Sequence, residues 1–357
     1  MEEALVYLVT GGCGFIGEHI VELLCKQDYV SEVRIFDSAT TEEVKKFARD
    51  TTHVTVMKGD IRNYTGLLSA MRGVHVVIHT AAVVDYTESV PFQMMEEVNV
   101  AGTENVLKAC CTLSIPYVVY TGSISAVGPN TRGDPLVRGT EDTMYSGEVE
   151  LPYGKTKAKA EKLVLEANGK ELSNGGKLAT CIIRPNTVYG EKSHSLKHSY
   201  TIAKAKGVMD YIEPEDTERN NSYVGNVAWM HVLAARNLQL KPDVLAGQVY
   251  YCYDDTPFRK GFLVVYQLLS GADPSIRLGS RIPYWKLWLQ IHFYRLMKIL
   301  LYPLWKTRPI LNFPVLNVMN ITFSTETDKA FRHFGYKPFY SWEESKHHTT
   351  EWLSKLQ

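Results

Sequence analysis

The sequence predicts an α/β fold built on a doubly wound parallel sheet. In the first 190 residues, short apolar runs alternate with longer helical patterns, as expected of repeated strand–helix units. The apolar runs are nearly continuous and rich in β-branched residues, which is typical of strands buried on both faces. The pattern after residue 190 is less regular. We therefore expect a smaller C-terminal substrate lobe packed at the carboxyl edge of the sheet.

Length and composition fit one large domain with an appendage. The chain has 357 residues, of which 45% are hydrophobic, enough for a full core. Its formal net charge is zero and its basic residues form no long run, so we expect no nucleic-acid partner. The six cysteines show neither metal-ligand spacing nor a disulfide framework, which predicts reduced thiols and no metal. The first residues lack a basic segment, and we expect no signal peptide.

Six strand candidates define the predicted sheet, separated by helical stretches such as "FIGEHIVELLCKQ". In chain order they are residues 4–9, 32–37, 53–60, 75–80, 117–122 and 178–185. We expect four regions along the chain. They are a nucleotide-binding domain at 1–190, a substrate lobe interleaved with the core at 191–281, a hydrophobic segment at 282–305, and the C-terminal part of the substrate lobe at 306–357.

The first strand leads into "TGGCGFIG", where Gly11, Gly14 and Gly17 have the spacing G-x-x-G-x-x-G. Glycine is needed where the turn is tight, where backbone approaches a pyrophosphate, and where the helix packs closely on the strand. The helix that begins near Phe15 and Ile16 would direct its free N–H groups and positive end at the phosphates. The turn therefore predicts a Rossmann-type dinucleotide site.

Two acidic residues complete the predicted cofactor site. Asp37 ends the second strand, 20 residues after Gly17. Its carboxylate would accept hydrogen bonds from both ribose hydroxyls and repel a 2′-phosphate, so the sequence favours NAD over NADP. The alternative is that Asp37 only caps a helix. Asp60, at the end of the third strand, is placed where it could bind the adenine amino group.

A second motif, "LPYGKTKAKAEKLVLEANG", places Tyr153 and Lys157 four residues apart on one face of a predicted helix. Lowering a tyrosine pKa by ~3 units from its usual value requires about 4 kcal/mol of preferential phenolate stabilisation. The Lys157 ammonium and a nicotinamide cation have the right sign to supply it. Ser123 follows the fifth strand, at the ligand-binding edge, and its hydroxyl could donate to a substrate oxygen. The alternative is an ordinary helix face that carries a solvated lysine.

Together these motifs resemble the extended short-chain dehydrogenase/reductases, and among them the 3β-hydroxysteroid dehydrogenase/Δ5-4 isomerases. The resemblance covers essentially the whole chain, including "VYLVTGGCGFIGEH", "VNVAGTENVLKAC", "YVGNVAWMHVLAAR" and "DKAFRHFGYKPFYSWEES". It implies NAD-dependent oxidation of a 3β-hydroxy-Δ5-steroid, a hormone or bile-acid precursor, followed by Δ5-to-Δ4 isomerisation. It also implies that Tyr153 is the general acid/base, Lys157 its activator and ribose ligand, and Ser123 the donor to the substrate oxygen.

The sequence departs from the family pattern near the predicted chemistry. The family usually has two serines at Gly122-Ser123, an acidic residue at Ser125, and other residues at Asn186-Thr187. One hydroxyl suffices for hydride transfer, so the missing acid bears more on isomerisation. Two alternatives stay open: an enzyme of the same fold that acts on another sterol or a nucleotide sugar, and a catalytically silent protein that binds NAD and sterol.

Residues 282–305 are apolar and aromatic and contain three of the six tryptophans. A helix of this length would span about 36 Å, enough to cross a hydrocarbon core. Arg295 and Lys298 lie near its middle, however, and Pro283 and Pro303 limit it. We therefore expect a monotopic helix at the membrane interface, with a helix buried against the substrate lobe as the alternative. The family resemblance fits an endoplasmic reticulum or a mitochondrial membrane, and it leaves a homodimer open.

Overall fold

The computed structural model describes residues 4–301 and 311–356. The strands in these residues are β1 (Leu5–Thr10), β2 (Val30–Asp37), β3 (His53–Lys58), β4 (Val76–His79), β5 (Tyr117–Thr121), β6 (Leu136–Gly139), β7 (Ala179–Arg184), β8 (Thr187–Tyr189), β9 (Val208–Tyr211), β10 (Asn221–Tyr223), β11 (Gln248–Tyr251), β12 (Arg277–Arg281) and β13 (Phe323–Thr325).

Helices connect and cover these strands. They are α1 (Phe15–Leu24), α2 (Tyr64–Met71), α3 (Phe92–Glu96), α4 (Gly102–Leu113), α5 (Pro152–Ala167), α6 (His194–Lys206), α7 (Val224–Leu240), α8 (Pro242–Leu245), α9 (Gly261–Ala272), α10 (Tyr284–Leu300), α11 (Phe313–Met319), α12 (Lys329–Phe334) and α13 (Trp342–Ser354). A π-helical turn at Glu97–Ala101 joins α3 to α4, and 3₁₀ turns occur at Glu42–Phe47 and Ile124–Ala126.

Seven strands form one parallel sheet, in the order β11-β7-β5-β4-β1-β2-β3. All six strands predicted from the sequence are present, each with boundaries within two residues of the prediction. The order reverses direction at β1 and β4, which opens a crevice at their carboxyl ends where such sheets bind ligands. The prediction of a doubly wound parallel sheet is therefore confirmed.

Both faces of the sheet are buried. Val9 points into a core formed with α1 and α7, whereas its neighbour Leu8 points into a second core with α2, α4 and α5. Because alternate residues of each strand meet an apolar layer on either side, the strands need continuous rather than alternating hydrophobicity. This requirement explains the runs of valine and isoleucine in the sequence.

The chain after residue 190 contributes both to the sheet and to the lobe beside it. Strand β11 pairs with β7, and α7 covers one face of the sheet. Three two-stranded pairs, β8 with β10, β9 with β12 and β6 with β13, lie outside the main sheet. A separate apolar core contains residues of α6, α9 and α13. This arrangement is compatible with a lobe interleaved with the core, and the four-region division stays a prediction.

Helix α10 covers most of the hydrophobic segment predicted at 282–305. Leu287 and Ile291 pack against Leu316 of α11, so one side of α10 rests on the protein. Its other side exposes Trp285, Trp288, Leu289, Phe293, Leu296, Ile299 and Leu300. Within residues 4–301 and 311–356, no helix has the length and apolar character needed to cross a membrane. Tyr302, Pro303 and Trp305 lie outside the described residues.

Candidate active site

The glycine-rich turn between β1 and α1 leaves no room for side chains. Gly11 has a φ of +71°, in the left-handed region that favours glycine. A Cβ at Gly17 would lie 2.1 Å from the Gly11 carbonyl oxygen, so the first turn of α1 packs directly on the loop. The first residues of α1, including Phe15 and Ile16, therefore lie against backbone, with their free N–H groups at the carboxyl edge of the sheet.

A groove with a volume of about 420 Å³ follows this turn. It is lined by the whole set of residues that the sequence predicts for the cofactor, apart from those on α5: Gly11, Gly14, Phe15, Ile16, Gly17, Asp37 and Asp60. The opposite wall is the segment Thr80–Val84, which follows β4. No motif in the sequence predicted a role for this segment, although its position after the strand next to β1 could have indicated one.

Asp37 and Asp60 are held differently. The Cys13 N–H donates to Asp37 Oδ2 at 3.0 Å, which ties this carboxylate to the glycine-rich turn. The Ala39 N–H donates to Asp37 Oδ1 at 3.0 Å. Each oxygen keeps acceptor capacity toward a ribose hydroxyl. Asp60 pairs with Arg62 at 2.7 Å, and the hydrogen bonds from Arg62 lower the pKa of Asp60. The Asp60 carboxylate is thus ionised and already paired with the Arg62 guanidinium.

Helix α5 brings Tyr153 and Lys157 to the carboxyl end of β5. Lys157 is buried, which excludes the alternative of a solvated lysine. Its Nζ donates to the Tyr120 hydroxyl at 2.6 Å and to the Thr121 carbonyl at 2.7 Å. Burial lowers the pKa of Lys157 to about 7, against the opposing effect of Glu161. Its ammonium is therefore close to its titration point at neutral pH.

Tyr153 is also buried, with 6% of its surface exposed. Burial raises the pKa of its phenol well above the usual value, and a hydrogen bond with Ser123 acts in the opposite direction. In the polypeptide alone Tyr153 is thus a neutral phenol. The lowering expected from the sequence depends on positive charge brought to this hydroxyl, which burial makes more effective because the local dielectric constant is low.

Ser123 caps the 3₁₀ turn at Ile124–Ala126, where its Oγ accepts a hydrogen bond from the Ser125 N–H at 3.1 Å. The same side chain lies close enough to Tyr153 to lower the pKa of its phenol, so the structure brings the predicted serine and tyrosine together. The ring of Tyr86 packs edge-on against Tyr153, with 5.3 Å between ring centres. Burial raises the pKa of Tyr86 and an interaction with Ser125 lowers it, while 39% of the residue is exposed.

Residues 8–282 of the chain match the model of the 3-beta hydroxysteroid dehydrogenase/isomerase family. The chain belongs to this family. It is 42% identical to human 3 beta-hydroxysteroid dehydrogenase type 7, over 98% of this chain and 96% of the relative. The mouse protein of the same name is 41% identical over 99% of this chain and 96% of its own length. The vaccinia virus 3 beta-hydroxysteroid dehydrogenase/Delta 5-->4-isomerase is 36% identical over 99% of both chains.

Solved structures show the same fold at lower identity. A dTDP-glucose 4,6-dehydratase from Streptomyces venezuelae, determined with NAD bound, has a TM-score of 0.70 at 20% identity and covers 99% of this chain and 98% of its own. The UDP-glucose 4-epimerase of Thermus thermophilus, also determined with NAD, has a TM-score of 0.68 at 21% identity, over 99% of this chain and 100% of its own. This member of the 3-beta hydroxysteroid dehydrogenase/isomerase family thus shares its fold with these two enzymes.

The residues that depart from the 3-beta hydroxysteroid dehydrogenase/isomerase pattern lie within the site. A Cβ at Gly122 would be 2.4 Å from Glu161 Oε1 and 2.8 Å from Ile182 Cγ2, so the buried carboxylate fills the space of a side chain. Ser125, at the family's acidic position, is buried and carries no charge. The Asn186 amide donates to the Cys252 carbonyl at 2.7 Å and thereby connects the ends of β7 and β11.

Several residues near the site were not predicted from the sequence. Asn99 is buried; its amide exchanges hydrogen bonds with the Val83 backbone and donates to Thr156 at 2.9 Å, which fixes α5 against the wall of the groove. Tyr120 and Glu161 contact the catalytic candidates from β5 and α5. The signal for Glu161 was its position four residues after Lys157, on the same helix face. Tyr120 gave no comparable signal, because it lies within a strand of buried residues.

Proposed function

We propose that the protein is an NAD-dependent dehydrogenase that oxidises a 3β-hydroxy-Δ5-steroid to the 3-ketone and shifts the double bond from Δ5 to Δ4. The observation that carries the proposal is the buried set of Ser123, Tyr153 and Lys157 at the carboxyl end of the sheet, beside the groove of the glycine-rich turn. The steroid is supported by the names of full-length relatives that are 36–42% identical.

The groove suits NAD. The turn at Gly11 and Gly17 is a cradle that a Cβ would fill, as required for backbone to approach a pyrophosphate. Asp37 would accept hydrogen bonds from the adenosine ribose, and its negative charge would repel the 2′-phosphate of NADP. NAD, when bound, supplies the acceptor for the C3 hydride. Lys157, one helical turn below Tyr153, would bind the second ribose.

In the dehydrogenase step, Tyr153 takes the proton of the 3β-hydroxyl while the Ser123 hydroxyl donates to the same oxygen. A neutral buried phenol needs positive charge nearby to release its proton. Lys157 supplies that charge, which has a strong effect because the site excludes water. These roles are proposals supported by the contact between Ser123 and Tyr153 and by the burial of Lys157.

The new C3 ketone makes the C4 hydrogen acidic, because the carbonyl stabilises an enolate. Removal of a C4 proton and its delivery to C6 then moves the double bond. We propose Tyr153 as the proton carrier, since it already lies at C3 in the preceding step. Ser125 leaves no carboxylate at the family's acidic position, so this chain is expected to isomerise more slowly than it oxidises.

We also propose that α10 lies at a membrane surface, most simply that of the endoplasmic reticulum. The support is its exposed apolar side, with Trp285 58% and Phe293 64% exposed, while Leu287 and Ile291 anchor the helix to the protein. Amphipathic helices with tryptophan at the polar boundary bind membrane interfaces. A sterol dissolves in lipid and could enter the site from there.

A homodimer stays a prediction, which the mass of the detergent-solubilised protein would test.

The function is tested by incubating the membrane fraction with NAD and either pregnenolone or 7α-hydroxycholesterol. Formation of NADH and of the conjugated enone is followed by absorbance. Both signals support the two-step reaction, and the preferred substrate identifies the steroid class. NADH without enone would limit the function to the dehydrogenase. If protein that binds NAD gave neither signal, and Tyr153→Phe behaved like the unaltered chain, the silent sterol-binding alternative would replace the proposal.

A further inference from the structure

A largely buried ion pair, Glu161 with Arg184, lies next to the proposed catalytic residues. Glu161 follows Lys157 by one helical turn on α5 and is 3% exposed. Its Oε2 accepts hydrogen bonds from Arg184 Nη2 at 2.7 Å and Nε at 3.0 Å. Its Oε1 accepts the backbone N–H of Ser123 at 3.3 Å. One carboxylate thus connects α5, the end of β7 and the residue proposed to contact the substrate oxygen.

The space for this carboxylate comes from Gly122. Any side chain there would begin 2.4 Å from Glu161 Oε1 and 3.2 Å from Arg184 Cγ. A Cβ there would force the Glu161 carboxylate and the Ile182 side chain to shift, since it would also lie 2.8 Å from Ile182 Cγ2. The position of Ser123 is therefore defined by contact with Glu161 as well as by the end of the strand.

The negative charge of Glu161 also acts on its neighbours: it raises the pKa of Lys157 against the effect of burial, and it raises the pKa of Tyr153. Burial lowers the pKa of His79 to about 3 and that of His231 to about 4, so both imidazoles are neutral at pH 7. Burial likewise raises the pKa of Tyr120 and Tyr153, so both phenols are neutral. Among the described groups around Lys157, Glu161 is then the anion, with Arg184 as its own partner.

Stability alone gives little reason to bury such a pair. Desolvation of both ions offsets most of their attraction, and apolar replacements of similar volume are often neutral or stabilising. We propose that Glu161 is a positioning residue of this enzyme: it fixes Ser123 through its backbone N–H and keeps Lys157 charged, while Arg184 holds its carboxylate in place. The inference rests on the proposed function, whose serine and lysine it serves.

The test compares four forms of the full chain: unaltered, Glu161→Gln, the double variant Glu161→Gln/Arg184→Met, and Glu166→Gln. Glu166 is an exposed acid of the same helix and serves as the matched control. We expect Glu161→Gln to lower kcat for the steroid about tenfold with KM changed less than about twofold. The alkaline limb of kcat should move to lower pH, because Lys157 loses its proton more readily without the adjacent anion. Glu166→Gln should leave both unchanged.

The double variant separates positioning from a structural role. It removes both buried charges, so its fold does not suffer from an unpaired Arg184. If it retains the shifted pH profile and the low kcat, the positioning role is supported even where Glu161→Gln alone unfolds. If the double variant regains the unaltered kcat and pH profile, the pair is merely structural and the inference fails.

A second readout does not require steroid turnover. Because the pKa of folded Lys157 lies below that of the unfolded chain, Lys157 makes stability rise as pH increases above about 7. Without Glu161 this rise should begin at lower pH in the thermal unfolding of the double variant. An unaltered chain that shows no turnover would refute the proposed function. An unchanged melting profile in the double variant would refute the inference.

Discussion

Lys157 Nζ lies 2.6 Å from the Tyr120 hydroxyl oxygen and 4.2 Å from the centre of the same ring. The buried Lys157 ammonium is therefore held in place by Tyr120, a residue of β5. The hydroxyl is a hydrogen-bond acceptor and the ring face adds a cation–π attraction, which is stronger where water is excluded. Tyr120 thus fixes where the positive charge stands relative to Tyr153.

The first prediction concerns this contact. Tyr120→Phe removes the hydroxyl acceptor but keeps the ring, so the ammonium becomes less well satisfied and less well placed. We expect kcat to fall about ten- to hundredfold with little change in steroid KM, since a hydrogen bond from a charged donor contributes about 1.5–3 kcal/mol. Steady-state kinetics checks this. Tyr117→Phe, at the other end of β5, is the control, and an equal loss there would contradict a specific role for Tyr120.

The second prediction concerns Gly122. Gly122→Ser installs the residue usual in the family, but its Cβ would meet the Glu161 carboxylate at 2.4 Å. We expect a loss of about 1–3 kcal/mol in the free energy of unfolding, the usual cost of overpacking a core. Denaturant unfolding measures it. Gly66→Ala, where a Cβ would meet only ordinary contacts from Asn63, should be neutral or stabilising. An unaffected Gly122→Ser would show that the carboxylate moves freely.

The third prediction concerns acid stability. His79 is buried between Thr10 and Thr103, whose hydroxyls lie 2.6 and 3.0 Å from its ring nitrogens, and burial lowers its pKa to about 3. The unfolded imidazole has a pKa of about 6.5 and binds a proton first. Stability from His79 is therefore complete above about pH 6.5 and is lost as pH falls toward 3.

Urea unfolding between pH 4 and pH 8 checks this slope. His79→Gln, which lowers overall stability, should show a shallower loss on acidification than the unaltered chain. His194→Gln replaces an exposed imidazole and should retain the steep slope. The same slope in His79→Gln and the unaltered chain would contradict the assignment.

The fourth prediction concerns cofactor choice. Asp37→Ser removes the carboxylate that would bind the ribose and repel the 2′-phosphate. We expect KM for NAD to rise by more than tenfold and activity with NADP to become measurable, since each lost charged hydrogen bond contributes about 1.5–3 kcal/mol. Initial rates with both cofactors check this. Asp50 is an exposed acid outside the groove, so Asp50→Asn should change neither the KM for NAD nor the activity with NADP.

The fifth prediction concerns α10. Replacing Trp285, Leu289 and Phe293 together by serine removes much of the exposed apolar side without touching the residues that pack on α11. We expect most of the protein to leave the membrane fraction while NAD affinity stays within about twofold, because the binding energy scales with the apolar area buried in the interface. Vesicle flotation and NAD titration measure the two effects. Loss of NAD binding in parallel would show instead that this side of α10 packs within the protein.

The sequence was sufficient for those parts of the site that depend on local pattern. The glycine spacing at Gly11 and Gly17, the acid at Asp37 and the four-residue step from Tyr153 to Lys157 each follow from one strand end or one helix face. These features can be predicted from the sequence because their geometry is set within a few consecutive residues.

Features that depend on contacts between residues far apart in the sequence could not be predicted in this way. Tyr86 reaches Tyr153 from a loop, and Arg184 meets Glu161 across two elements. Neither residue has a neighbour in sequence that signals the partner. The hydrophobic segment shows a mixed case, because its amphipathic character was predicted, whereas the side that packs on the protein, through Leu287 and Ile291, becomes visible only against α11.

The pairing of β11 with β7 has a consequence for folding during synthesis. Tyr251 pairs with Arg184, and 67 residues separate them along the chain. At ~5–20 residues per second, the ribosome needs roughly 3 to 13 s to produce that interval. Until then β7 is a bare edge, and the sheet face that α7 will cover is exposed. The nascent nucleotide-binding half therefore carries an unpaired strand edge, open to pairing with neighbouring chains, for several seconds before its own sheet can be completed.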